Sequence, residues 1–298
     1  MSNDAQTVAF LGLGNMGGPM AANLVTAGHE VRGFDPVEAA QDLARQAGVT
    51  VCDSPADAVR GASVVITMLP SGALVTSTYD DVLGVAGAGT LFIDSSTISV
   101  DDARAVHDKA RAAGMLQVDA PVSGGVKGAT AGTLAFMVGG EDEAFAAAQP
   151  VLEPMAGKVI HCGIPGAGQA AKVCNNMILA AQQIVVGEAF VLGERLGLEH
   201  QALYDVVTGA TGNCWALHTN CPVPGPVPAS PANNEYRPGF STALMNKDLG
   251  LALAALESTG TVAPLGAAAA AIYDGFAEEN GDKDFSAVIT SIRESTRT

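Results

Sequence analysis

Residues 7–17, TVAFLGLGNMG, restrict the possible folds of this chain more than any other stretch. An apolar run that reads as a buried strand passes straight into Gly12, Gly14 and Gly17, spaced GxGxxG. Met16 to Ala27 then follows helical spacing, and HEVRGFD reads as a second strand ending on Asp35, about 20 residues past the glycines. Strand, glycine turn, helix, strand and acid together form the dinucleotide-binding pattern. The first glycine permits the turn, the second lets backbone approach a pyrophosphate, and the third lets helix pack on strand. The phosphates would sit on the helix N-terminus, where unpaired N–H groups and the dipole favour negative charge. Gly12, Gly14, Asn15, Met16 and Gly17 are therefore candidate cofactor residues. The alternative is a glycine turn in some other α/β protein. Asp35 can accept hydrogen bonds from a ribose diol and repels a 2′-phosphate, which predicts NAD rather than NADP. Arg32 should point elsewhere by strand alternation, and Pro36 and Val37, not arginine, follow the acid.

Further strands are expected at 63–70, 90–97, 115–122, 133–140 and 158–163. Continuous apolar runs such as VVITML suit parallel strands covered on both faces. Ligands bind outside the C-terminal ends of such strands, which marks Leu69, Pro70, Ser95 to Thr97 and Pro121 to Gly125 as candidate lining. Ser123, Gly124 and Gly125 follow a strand in a glycine-rich segment. Successive N–H groups there could make an anion-binding concavity with the serine hydroxyl as a further donor, or the segment could be only a flexible turn.

Residues 166–198 lack proline and have no glycine between Gly168 and Gly187. This predicts a helix of roughly 45 Å at about 1.5 Å per residue. Val173, Met177, Ala180, Ile184 and Ala189 can lie along one broad apolar face. Lys172 and Asn176 stand one turn apart near its start, as a solvated surface or as a site of chemistry. Only helical patterns follow (200–210, 243–258 and 264–280), interrupted by a proline-crowded extended loop at 221–240. Lys247 and Asp248 read as the start of a helix, with the acid complementing its dipole. The expected fold is an α/β N-terminal Rossmann-like domain over 1–164 and an all-α C-terminal domain over 165–298, joined by the long interdomain helix.

The net charge of −16 argues against a nucleic-acid surface, and no segment has the uninterrupted apolar length of a membrane span. The opening MSNDAQ carries no basic targeting pattern, and the five scattered cysteines suit reduced thiols rather than disulfides or a metal site. A cytoplasmic location is expected, with no resident metal.

Four segments, FLGLGNMGGPMAANL, DAPVSGGVKGATAGTLAFMVGG, GAGQAAKVCNNM and FSTALMNKDLGLAL, resemble in order those of the β-hydroxyacid dehydrogenase family. The resemblance covers nearly the whole chain and implies the same two-domain fold. It implies that Ser123 and Gly124 of the serine-glycine turn hold a substrate carboxylate, and that Lys172 is the catalytic acid/base with Asn176 its partner. It also implies that Lys247 reaches the cofactor and that Leu69, Pro70 and Thr97 line the nicotinamide end. Residues 213–240 resemble the loop of family members acting on 3-hydroxyisobutyrate, a small carboxylate with a primary alcohol. Tartronate semialdehyde, succinic semialdehyde and 3-hydroxypropionate are the alternatives; imine reduction fits less well because those relatives generally replace the lysine. Trp215 and Phe240 could form an apolar wall beside a 2-methyl group, or Trp215 could be plain core. A homodimer or homotetramer is expected, and a non-catalytic nucleotide-binding scaffold is the rival from another class.

Overall fold

The computed structural model describes residues 5–296. The chain divides into two compact units, Met1–Lys172 and Val173–Thr298. In the first, β1 (Thr7–Leu11), α1 (Gly17–Thr26), β2 (Glu30–Phe34), α2 (Glu38–Gln46), β3 (Thr50–Val51), α3 (Pro55–Val59) and β4 (Val64–Thr67) alternate as the sequence predicts, except that two-residue β3 carries no legible apolar run. There follow α4 (Gly72–Val82), β5 (Leu91–Asp94), α5 (Val100–Ala112) and β6 (Leu116–Asp119). These strands lie in the order β3-β2-β1-β4-β5-β6, all parallel. The order reverses between β1 and β4, which opens a crevice at their C-terminal ends.

Burial on both faces explains the unbroken apolar strands. Val8 and Phe10 of β1 join one core cluster with Met20, Leu24 and Phe136, while Ala9 and Leu11 join another with Val75, Tyr79 and Val106. Serines cap several of the helices that follow these strands: Ser54 accepts from Asp57 N, and Ser99 from Asp102 N.

Beyond β6 the chain reverses direction. β7 (Val122–Ser123), α6 (Gly125–Ala131) and β8 (Leu134–Gly139) follow, and β8 runs antiparallel to both β6 and β7. After α7 (Asp142–Leu152), β9 (Ala156–Gly163) pairs parallel to β8.

α8 (Ala167–Arg195) starts in the first unit and continues into the second. Its buried apolar side chains are Val173, Ala180, Ile184, Val186, Phe190 and Val191. Ala189 is exposed rather than on the buried face, because two core clusters draw on different sides of the helix. Ile184 packs with Met245, Tyr273 and Phe285, while Phe190 packs with Leu217, Val223 and Ile289. By length and composition α8 is apolar enough to cross a bilayer, and half of that apolar window is buried within the protein.

The second unit continues with α9 (His200–Thr208), α10 (Trp215–His218), α11 (Thr242–Thr259), α12 (Pro264–Asn280) and α13 (Val288–Ser295), the last without a clear sequence pattern. Residues 221–240 are irregular but folded back rather than extended. Tyr236 Oη donates to Pro222 O at 2.8 Å, Gly225 N to Asn233 Oδ1 at 2.9 Å, and Asn233 Nδ2 to Val227 O at 2.8 Å. The buried Asp284 receives Asn220 Nδ2 and the N–H groups of Gly239 and Phe240, fixing both ends of the loop.

Asp94, at the end of β5, is fully buried. Its Oδ1 accepts from Thr67 Oγ1 at 2.8 Å and Ser96 N at 3.1 Å, while Oδ2 meets no partner among the described residues. Burial pushes its carboxyl up to about 6 from 3.8, against the lowering effect of its hydrogen bonds. The folded chain therefore holds this proton more tightly than the unfolded chain. The stability it contributes is complete below 3.8 and is lost as pH rises through 6, on the order of 3 kcal/mol at 1.36 kcal/mol per unit. Asp94→Asn should remove that slope. Thermal melts of both proteins between about pH 4 and 8 should show a Tm difference that grows in favour of the variant up to about pH 6–7 and is flat above; parallel curves would contradict a buried neutral acid.

Candidate active site

The glycine turn after β1 lies against the end of β4. Gly12 N donates to Phe34 O at 2.9 Å and Met68 N to Leu11 O at 2.9 Å. A side chain on Gly12, where φ is +98, would overlap the Met68 carbonyl, and one on Gly17 would overlap the Gly12 carbonyl. Gly14 is different: it is exposed, and a Cβ there would meet nothing within 4 Å. The start of α1 behind it has neither a capping side chain at Met16 nor an acid in its first turn. Open glycine backbone facing an uncapped helix end fits a pyrophosphate, and Asn15 is exposed beside it.

Asp35 follows β2 and is 8% exposed. Its Oδ2 accepts from Leu13 N at 2.8 Å and its Oδ1 from Val37 N at 2.8 Å, so the acid braces the glycine turn itself. Each oxygen retains a lone pair for a ribose hydroxyl. Arg32 turns away, donating to Glu30 Oε1 at 2.9 Å and to Arg60 O at 3.0 Å. Arg32 is thereby not poised for a 2′-phosphate.

Along the same sheet edge, Leu69 is half-buried and Pro70 exposed. Leu69 N donates to Ser96 Oγ at 2.9 Å, which ties the end of β4 to the segment holding the half-buried Thr97. Gln169, fully buried in the first turn of α8, receives Ile98 N at 3.3 Å and donates to Ser96 O at 2.7 Å. Sequence reading included Ser96 in the candidate lining but passed over Gln169, whose side chain has no meaning without its distant partners.

The serine-glycine turn lies next to this segment's lysine. Gly124 and Gly125 take φ of +135 and +59, conformations open to glycine, and Gly124 heads α6 without a capping side chain. Ser123 is half-buried and Gly124 exposed. Lys172 is 7% exposed, and its Nζ donates to Val122 O at 2.8 Å, the carbonyl immediately before Ser123. The first unit thus gathers Gly12–Gly17, Asp35, Leu69, Pro70, Thr97, Ser123–Gly125 and Lys172 on one edge of its sheet.

Asn176 is 2% exposed one turn further along α8. It receives Asn175 Nδ2 at 2.9 Å and donates Nδ2 to Asp248 Oδ2 at 2.5 Å. Asp248 is therefore not a first-turn acid on a helix surface. α11 starts at Thr242 with Ser241 as its cap, which puts Asp248 in the second turn, buried against Asn176. Lys247 beside it is half-buried. Trp215, at the start of α10, is 51% exposed and so is not core. Phe240 packs edge-on to Phe285 at 5.8 Å between ring centres.

Two family models match the chain. One, described as the NAD binding domain of 6-phosphogluconate dehydrogenase, spans residues 7–163. The other, described as the NAD-binding region of NADP-dependent 3-hydroxyisobutyrate dehydrogenase, spans 166–292. A probable 3-hydroxyisobutyrate dehydrogenase of Mycobacterium tuberculosis is 68% identical over 287 residues, covering 96% of this chain and 98% of that protein. The chain belongs to the 3-hydroxyisobutyrate dehydrogenase family. A solved structure of a member from the same organism, with L-serine, has a TM-score of 0.95 at 67% identity and covers 97% of this chain and 99% of its own. An NAD-dependent L-serine dehydrogenase of Pseudomonas aeruginosa is 44% identical over 289 residues, covering 94% and 96%. As a member of this family the chain is an NAD-dependent oxidoreductase acting on β-hydroxy acids. The glycine turn, the open helix end and Asp35 are a set that NAD fits.

Proposed function

We propose that this chain oxidises 3-hydroxyisobutyrate to methylmalonate semialdehyde, a step of valine breakdown, with Lys172 as general base. One observation carries the reading: the Lys172 amine is anchored 2.8 Å from the carbonyl that leads into the serine-glycine turn. Substrate anchor and proton acceptor are thereby held in a single register. Ser123 Oγ and the Gly124 N–H receive the substrate carboxylate. A neutral Lys172 amine can donate one N–H to Val122 O and still offer its lone pair to the C3 hydroxyl. Burial of the side chain favours that neutral form. NAD, when bound, supplies the acceptor for the hydride leaving C3; the hydroxyl proton goes to Lys172 and then to solvent, so alcohol and NAD⁺ give aldehyde, NADH and H⁺. Asn176, held by Asp248, orients the substrate oxygen. In reverse the ammonium donates to the developing alkoxide.

Gly12, Gly14, Asn15, Met16 and Gly17 hold the pyrophosphate in this reading. Leu69, Pro70 and Thr97 line the nicotinamide end. Family resemblance supports Lys247 toward the cofactor and Trp215, Phe240 and Gly125 toward the substrate; the exposure of Trp215 agrees with a ligand-facing role.

L-Serine is the second reading, because one relative is named for it and another was solved with it. It shares the carboxylate and the primary alcohol of 3-hydroxyisobutyrate and carries an ammonium where that acid has a methyl. The same anchor and base therefore serve both, and only the surroundings of C2 discriminate. Lys172→Ala should lower kcat by about 10²–10⁴ while NADH affinity stays within about twofold. A kcat/KM series over 3-hydroxyisobutyrate, L-serine, 3-hydroxypropionate and glycerate should rank the first highest. Preference for L-serine would transfer the assignment to the second reading, and a tenth or more of wild-type kcat in the variant would remove the lysine from its role.

Asp35 is the basis for discrimination against NADP. Asp35→Ala should narrow the NAD/NADP ratio of kcat/KM by at least about tenfold, in proportion to the lost repulsion. An unchanged ratio would mean that the carboxylate acts only on the glycine turn.

The chain is proposed to work as a homodimer or homotetramer. Ile178, Val185, Ala189 and Leu192 form an exposed apolar stripe at helical spacing on α8. Light scattering at micromolar concentration should give two or four times the monomer mass of 30.0 kDa, and Val185→Lys should lower it.

A further inference from the structure

The cap of α8 comes from outside the helix. Gly166 stands before Ala167 and has no side chain to offer the first turn. In its place the carboxylate of Asp119, at the end of β6, accepts from Gly166 N at 2.7 Å through Oδ1 and from Gln169 N at 2.8 Å through Oδ2. Asp119 is 1% exposed. The contact is close: a Cβ on Gly168 would overlap the Met137 carbonyl and stand 2.7 Å from Asp119 O.

Three residues further along each segment is a second tie. Val122 O is three residues after Asp119, and Lys172 three after Gln169, and these two bond at 2.8 Å. The first tie fixes where α8 begins against the sheet, and the second is the position of the lysine amine. The neighbour of Asp119 across the sheet, Asp94 on β5, bonds Thr67 and Ser96 rather than α8.

We propose that Asp119 is a positioning residue for the reaction: its carboxylate sets the axial register of α8 and so holds the Lys172 amine at the serine-glycine turn. The inference rests on Lys172 being the acid/base, as proposed above. In this role Asp119, itself buried, acts through α8 rather than on substrate or cofactor. Burial raises its carboxyl, and the two backbone N–H donors and the positive end of the helix dipole oppose that rise.

Two chemically identical substitutions on adjacent strands test this. Asp119→Asn places an amide N–H against one of the helix donors, and the full-length variant should bind NADH within about twofold of wild type. Its KM for 3-hydroxyisobutyrate should also stay within about twofold, because Ser123 and Gly124 remain in place, while kcat falls at least about tenfold. Asp94→Asn should change all three by less than about threefold. A kcat for Asp119→Asn within tenfold of wild type overturns the proposal, and so does a common loss of kcat, KM and NADH affinity in both variants. Asp119→Glu, which keeps the charge and adds a methylene between strand and helix, should show the same split if the asparagine variant does not fold. Wild-type kcat in the glutamate variant, or failure of both to fold, overturns the assignment. Lys172→Ala assayed in parallel separates the two ideas: high kcat there defeats the lysine assignment, whereas low kcat there with high kcat in Asp119→Asn defeats only the role of Asp119.

Discussion

The first unit depends on one close approach of backbone to backbone. The carbonyl of Gly12 occupies the place a side chain on Gly17 would need, and the Met68 carbonyl occupies the place of one on Gly12. With both glycines present, α1 starts directly over the end of β1, and β4 can lie beside it. That proximity is what exposes the uncapped N–H groups of α1 at the sheet edge. Asp35 then stiffens the turn through Leu13 N, so the acid expected only to read a ribose is also part of the scaffold. A carboxylate bonded to backbone on both oxygens has little freedom to rotate, which favours recognition of a fixed diol over a flexible ligand.

The same edge collects the remaining polar groups by a different route. Ser71 and Ser99 cap α4 and α5 with their own hydroxyls, leaving those helix ends with less to offer a ligand. α1 starts at Met16, α6 at Gly124 and α8 after Gly166, none with a side-chain oxygen of its own. For α8 the deficit is met internally, by the carboxylate of Asp119. For α1 it is not, and there the helix end remains open to a phosphate.

What was legible in the sequence was local. GxGxxG, the strand before it and Asp35 lie within 29 residues of one another, and the turn chemistry of glycine makes that pattern readable without contacts. The alternation of strands and helices was legible for the same reason, and the Lys172–Asn176 spacing follows from helix geometry alone. Long-range pairings were hidden. Nothing near Asp248 says that Asn176, 72 residues away, bonds it. The exposure of Ala189 was hidden as well, because α8 serves two clusters at different angles and a single stripe cannot describe both. The antiparallel turn of β8 depends on the short β7, whose two residues carry no apolar period. Residues 221–240 were read as extended and without helix, but they hold a 3-10 turn at Pro231–Asn233 and are folded back by bonds within the segment and to Asp284 far outside it.

Asp94 and Asp119 show how far partners, rather than residue type, decide charge. They stand in register on adjacent parallel strands, so their side chains share a face and both are buried. Burial raises the carboxyl of each, and their mutual repulsion adds to the rise at Asp94. What separates them is the donors on offer. Asp119 takes two backbone N–H groups from the start of a long helix, each bond stronger toward an anion than toward a neutral acid. Asp94 receives a hydroxyl and a single N–H on one oxygen, and its other oxygen has no protein partner among the described residues, which is where a proton is best placed. Burial is the largest cause at Asp94 and the charge on Asp119 the smallest, so Asp94 gives up its proton only as pH rises through about 6. The two strand ends thus use the same residue type differently: Asp119 is bonded to the start of the helix that carries Lys172, and Asp94 to Thr67 and Ser96 within the sheet.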